Sequence, residues 1–365
     1  MRCALGHAPR LAGVDTSLDY RALETIPDRT NVRNYRAFSR SIGVTGSDGL
    51  RQELRVSALL VIMVIFTPGF VAVAVFNLFS TELNVGVVLT SVFWLAIAAG
   101  GFLYLARVRL PRWGSRLWRE RLMVSRFAEE NGATYEPNTS RVPPSGMIFR
   151  QGHERAITDR VSFSREPRFE VGNLHYRVNL PRNAVIDYHW GYIRIPLERH
   201  FPHTVLDSTS NNGLRGSALP VPLRNRGQVE LEGDFSEFFV LTVPQGYERD
   251  ALYLLTPDLM AILIDEGADL DIEIIDDILF VYRPRIFRLS SAEEWQRIER
   301  IVGTIGDRTQ NRTARYGDER TGDRLADRVA PEGRRIKAPR ITLAAVVGII
   351  VIIVALFTGL ASSGR

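Results

Sequence analysis

The side chains of this chain best able to do chemistry are six histidines and a dense run of carboxylates. "HFPH" sets His200 and His203 three residues apart, with His189 and His175 upstream. Two imidazoles plus a third ligand could hold zinc, but Pro202 between them keeps the backbone extended and turns the two rings apart. "DEGADLDIEIIDD", residues 265–277, gathers carboxylates of the kind that ligate calcium or magnesium. Its acids alternate with apolar residues and lack the Gly/Asn spacing of a calcium loop, so the run reads as a strand with one wet face. "LEGDF", residues 231–235, places Glu232 and Asp234 two apart. On a strand that spacing puts both carboxylates on one face, as acid–base work requires; the alternative is a turn at Gly233 and Asp234. A hydrolase using Glu232 and Asp234, or His175 and His189, is the catalytic reading these residues allow.

Other chemistries are missing their signatures. The chain has no glycine-lysine phosphate loop, dinucleotide fingerprint, nucleophile elbow, HExxH or paired CxxC. That argues against the common nucleotide and cofactor enzymes, and no cofactor or metal is expected. Cys3 is the single cysteine, so no internal disulfide can form.

The elements that must position these groups lie in residues 133–304, which are expected to fold as an α+β domain with a mainly antiparallel sheet. Short β-branched and aromatic runs such as "AITDRVSF" and "LHYRV" are separated by Gly, Pro and Asn. "LTPDLMAILIDEG" carries a helix signature, with Thr256 as N-cap, Pro257 at the first helical position and Gly267 as the stop. "LDIEIIDDILFVYR" reads as a hairpin turning at Asp276 and Asp277, and a last helix opens at a capping box of Ser291 and Glu294. Residues 112–132 read as an amphipathic helix ended by Asn131 and Gly132, lying at a membrane surface or packing on the domain. Residues 1–54 and 305–340 are poor in large apolar residues and read as disordered, the second as a flexible tether.

Charge separates these regions. The chain carries 46 basic and 41 acidic side chains, yet residues 133–304 hold 19 Arg against 25 Asp and Glu. An acidic domain is the wrong footprint for nucleic acid, so no nucleic-acid partner is expected. Three windows, Val56–Phe79, Val85–Ala106 and Ile341–Leu360, contain no charge at all. Each has the length of a bilayer-crossing helix, roughly 20 residues, giving an N-terminal hairpin over 55–107 and a C-terminal helix over 341–361. Arginines flank every window except at "STELN", which places the amino terminus and residues 108–340 in the cytoplasm and a short tail outside. This is a multi-pass plasma-membrane reading, with the lipid bilayer as partner. Ala344, Gly348, Ala355 and Gly359 form a small-residue stripe on the third window, and Ala96 with Gly100 a similar pair on the second, as helix packing or a homo-oligomer would need.

The stretch "LEGDFSEFFVLTVPQGYERDALYLLTPDLMAILIDEGADLDIEIIDDILFVY" resembles a family of actinobacterial-type membrane proteins with a domain of unknown function, marked by an LEGDF element and then DALYLLTPD. The likeness spans about 147–290 and implies membrane attachment and a bacterial source; it implies no reaction. The expected function is a domain that binds a protein partner or senses a ligand, with the hydrolase as the alternative.

Overall fold

The computed structural model describes residues 18–41, 115–180, 184–212, 217–219, 228–229, 231, 233–323 and 326–336. The chain divides into two compact units, residues 1–140, 157–163 and 288–296 in the first, the remainder in the second.

In the first unit, α1 (Arg21–Glu24) and α2 (Arg29–Ser41) precede α3 (Ser115–Glu130). Gly132, at φ +65°, ends α3 where the sequence signals a stop, and the Ala133 N–H reaches back to the Phe127 turn at the Ala128 carbonyl, 2.7 Å. The apolar face of α3 is buried in protein: Phe127 and Trp295 are both fully enclosed with ring centroids 4.5 Å apart, while Trp118 meets Val32 and Tyr35 of α2. This face packs on protein, with Leu117 and Met123 partly exposed beside it. β1 (Thr134–Thr139) pairs antiparallel with β2 (His153–Phe163), from Thr134 opposite Ser162 to Thr139 opposite Ile157. Ser291 accepts from the Glu294 N–H at 3.4 Å as α7 (Ala292–Ile301) begins.

The second unit is organised by one strand. β4 (Val185–Ser208) runs 24 residues and changes partners along its length. Its first half pairs with β3 (Phe169–Asn179), residues 191–206 pair with β7 (Asp271–Arg283), and residues 205–208 pair with β6 (Phe239–Thr242), which carries the short β5 (Gln228–Val229); all pairs are antiparallel. Between Pro196 and Thr204, β4 takes eight residue steps where β7 takes four, from Ile278 to Ile274. Pro202 sits in this bulge, where its missing donor costs no ladder bond. Helices α4 (Phe235–Phe238), α5 (Glu248–Leu254) and α6 (Pro257–Gly267) follow the strands; the side chains of Leu259 and Leu263 on α6 pack with Ile272, Ile274 and Leu206 around a narrow apolar gap. α6 starts at Pro257 and closes at Gly267 as the sequence signals.

Four expectations are corrected. First, no helix among the described residues is long and apolar enough to cross a membrane. α2 and α3 have 13 and 16 residues, short of the roughly 20 required. The three charge-free windows, the small-residue positions Ala96, Gly100, Ala344, Gly348, Ala355 and Gly359, and Cys3 lie outside the described residues. The expected transmembrane architecture and multi-pass plasma-membrane placement therefore have no support among the described residues. Second, Asp276 and Asp277 make no hairpin turn: β7 runs straight through them, and Asp276, at φ +58°, takes up the bulge opposite Phe201. Third, the acids of β7 are not a wet face; Asp271 and Glu273 are buried as fully as Ile272 and Ile274.

Fourth, neither low-apolar segment is without structure. α1 and α2 lie within 1–54, and residues 302–336 form a π-turn (Val302–Gly306), α8 (Asp307–Thr313) and a short 3-10 turn (Glu319–Thr321). Polar bonds replace apolar burial there. Asp318, buried, accepts from the Tyr247 hydroxyl at 2.9 Å, the Ala330 N–H at 2.9 Å and the Arg320 N–H at 3.0 Å, while the Arg320 guanidinium lies over the Tyr247 ring. Tyr316 donates to Asp250 at 2.7 Å.

Burial alone would raise the Asp318 carboxyl; these donors outweigh it and hold it below its ordinary value. A depressed carboxyl contributes its stability above the unfolded aspartate value of about 3.9 and loses it as pH falls through the folded value. Asp318→Ala should cost about 3 kcal/mol at pH 7, measured by urea unfolding, and the gap to the parent should close in acid. Equal stability of the two proteins at pH 7 would contradict this account of the segment.

Candidate functional site

The bulge of β4 decides where the histidines go. His200 remains at the surface, its backbone N–H donating to Asp327 at 2.8 Å. His203 turns inward and is buried. Its Nδ1 accepts from the Ile336 N–H at 3.0 Å, so the ring proton resides on Nε2, which donates to Glu273 Oε1 at 2.7 Å. Glu273 Oε2 accepts from the Met147 N–H and the Tyr282 hydroxyl, both at 2.7 Å. Burial, with the facing carboxylate adding to it, holds the Tyr282 phenol well above its usual range, so it serves as a donor. Every strong bond of this cluster is spent inside the fold. Phe149 lies against Tyr192, Phe280 and Tyr282 and closes it with aromatic rings. The cluster ties the segment before β2 and the chain near Gly333 and Ile336 to the sheet, and the His203 N–H bond to the Gly333 carbonyl adds to the clasp.

His175 and His189 do come together. They are directly opposite in the β3–β4 ladder, ring centroids 4.8 Å apart. Asp187 accepts from Arg177 Nε at 2.8 Å and lies 3.1 Å from His175 Nε2; Arg177 also pairs with Glu154. Loss of hydration, then the charge of His175, pushes the His189 pKa below its usual value although part of the ring remains exposed. A histidine with a carboxylate behind it is half of a general-base arrangement. The flanking ladder positions on that face, Asn173, Gly191, Asn179 and Val185, carry no hydroxyl or thiol to serve as nucleophile. Nor do three of His, Cys, Asp and Glu stand together to hold a metal among the described residues.

Asp234 is exposed at the start of α4, and Glu232 lies outside the described residues. Sequence reasoning missed Glu273, Tyr282 and Asp318. Glu273 stands among the alternating acids of residues 265–277, but its partner lies 70 residues away and nothing local singles it out.

The edge and tip of this same hairpin are its open part. On the opposite face the buried Tyr176 stacks with the exposed Tyr188 at 5.1 Å, and Leu180 and Val185 are large apolar residues left exposed at the tip. β3 covers one edge of β4, while β7 begins pairing only at Gly191. Among the described residues, no strand pairs with the other edge of β4 from Val185 to Trp190.

No family model and no curated relative matches the chain. Among solved structures, the crystal structure of the mycobacterial trehalose monomycolate transport factor A, TtfA, aligns over 53% of this chain and 93% of that chain at 12% identity, with a TM-score of 0.34. A likeness of that size supports no inference about fold or activity.

If the Glu273 cluster is a clasp, Glu273→Ala strands three buried donors and should lower stability by about 3–5 kcal/mol in urea unfolding, with Glu273→Gln losing less. A Glu273→Ala protein as stable as the parent would return this cluster to the list of reactive sites.

Proposed function

We propose that the second unit is a non-catalytic docking module, whose protein partner lays an extended segment along the free edge of β4. The edge from Val185 to Trp190, without a strand partner among the described residues and bordered by exposed Leu180, Val185 and Tyr188, is the observation that supports this reading most. An unpaired strand presents a row of backbone donors and acceptors, and added strands gain affinity from those groups and selectivity from the side chains beside them. The Leu180 N–H donates to the Ala184 carbonyl at 2.7 Å. By the alternation of an antiparallel ladder, residues 184, 186, 188 and 190 then face β3, and the N–H groups of Val185, Asp187 and His189 face outward. The Gly191 N–H, next in that series, already bonds the Arg285 carbonyl on the outer side. Charged Asp187 and Arg177 beside the edge discourage pairing with a second copy and favour a partner matched to them.

Val185→Pro removes an outward donor without disturbing the bonds to β3. In the native host, cross-links from the full chain to its partner should fall on residues 180–190, and affinity should drop at least about tenfold in this variant with the unfolding curve unchanged. Cross-links elsewhere, or a hydrolytic activity abolished by His175→Ala, would favour the other reading.

A further inference from the structure

The imidazole that fastens residues 333–336 to the sheet is also able to let them go. His203 Nδ1 accepts from the Ile336 N–H at 3.0 Å, and a ring nitrogen accepts only while it carries no proton. A second proton on the ring would set two donors, Nδ1–H and the Ile336 N–H, against each other. One of them must then move.

The surroundings decide where that proton goes and what moves. Glu273 is the other basic group of the cluster, but the Met147 N–H, the Tyr282 hydroxyl and His203 Nε2 already direct three donors at it in the interior. A proton there would strand one of them. Nδ1 faces a single N–H, on a residue that is partly exposed. Protonation at Nδ1 keeps the Nε2 bond and makes it an ion pair with Glu273, so the ring stays in place. Ile336 is the group displaced.

The bonds along residues 327–336 show how far the change reaches. At one end Asp327 accepts from the His200 N–H at 2.8 Å and lies 3.3 Å from His200 Nδ1 and 3.8 Å from Arg199, contacts that a proton on His200 tightens. Val329 and Ala330 are buried, and the Ala330 N–H is held by Asp318. Toward the other end the Gly333 carbonyl takes the His203 N–H, and the Arg335 guanidinium bonds Asp276 at 2.9 and 2.8 Å. Arg335 holds the Asp276 carboxyl below its ordinary value, so that pair is not what titrates near neutral pH. The charged and titratable groups around the ring are therefore Glu273, Asp276 and Tyr282 on β7, Arg335 in the segment and His200 in the bulge. A cation on His203 repels Arg335 and competes with it for Asp276.

We propose that His203 is a proton-operated latch: uptake of one proton at Nδ1 releases residues 334–336 from the sheet, while residues 327–330 stay seated. The latched form has no place for this proton and the released form has, so the latch weakens as pH falls. Histidine is the side chain suited to such a change, between about pH 5 and pH 8.

The test follows hydrogen–deuterium exchange of the full chain at about pH 7.5 and about pH 5, each rate divided by the intrinsic rate at that pH. Protection of the Ile336 amide should fall at least about tenfold in acid, while the Val205 and Leu206 amides of the sheet keep theirs. In nitrogen-15 spectra of the same protein, a proton should arrive on His203 Nδ1 at the midpoint where Ile336 loses protection. His203→Gln keeps a donor toward Glu273 but has no titrating nitrogen, so the pH dependence at Ile336 should vanish; His200→Asn should behave as the parent does. Unchanged protection at the lower pH, a loss shared with the sheet amides, or a loss that survives in His203→Gln would overturn the proposal. Should that variant not fold, the parent decides: separate midpoints for His203 and Ile336 would overturn it equally.

Discussion

Glu273 is the group on which the second unit depends. A carboxylate taken out of water needs its charge spread over donors, and here three distant parts of the chain supply them: Met147 before β2, His203 in the β4 bulge and Tyr282 on β7. That requirement explains the bulge. β4 must lengthen by several residues to swing His203 inward, and Asp276 adopts its positive φ on the facing strand to accommodate the extra backbone. The ring then presents Nδ1 to Ile336, so the polypeptide after α8 is fastened to the sheet through the same imidazole.

Such saturation bears on function. An imidazole–carboxylate pair at 2.7 Å resembles catalytic equipment, yet both ring nitrogens are committed and the acid has no open lone pair directed at a cleft. The half-buried pair, His175 with Asp187, has no hydroxyl or thiol at the ladder positions beside it among the described residues. The polar resources of the domain are used to hold chain segments, and the groups left over are the edge and apolar tip of the β3–β4 hairpin.

Where the sequence could be read, the signals were local. Thr256 and Pro257 stand at the start of α6 and Gly267 at its end, although the Thr256 side chain makes no capping bond, and Asn131 with Gly132 end α3, because helix ends are set by neighbours in the chain. The antiparallel α+β class follows from the same runs. What could not be read was set by distant partners. Asp276 and Asp277 look like a turn until the extra residues of β4 are known, and the acids of β7 look wet until His203, Met147 and Ser208 are placed against them. Residues 307–336 look too polar to fold because composition counts apolar area, whereas Asp318, Tyr247 and Tyr316 hold them with hydrogen bonds. His175 and His189 were singled out together, yet only their shared register brings them face to face.

The most direct test of the Glu273 clasp is the protonation pattern of His203, read by long-range proton–nitrogen correlation in nitrogen-15-labelled protein at neutral pH. A clasp requires one static tautomer, with the proton on Nε2 and a bare Nδ1 receiving the Ile336 amide. A ring protonated on Nδ1, or one exchanging between tautomers, would mean that the bonds described for Glu273 and Ile336 are not made, and that His203 is available for other work.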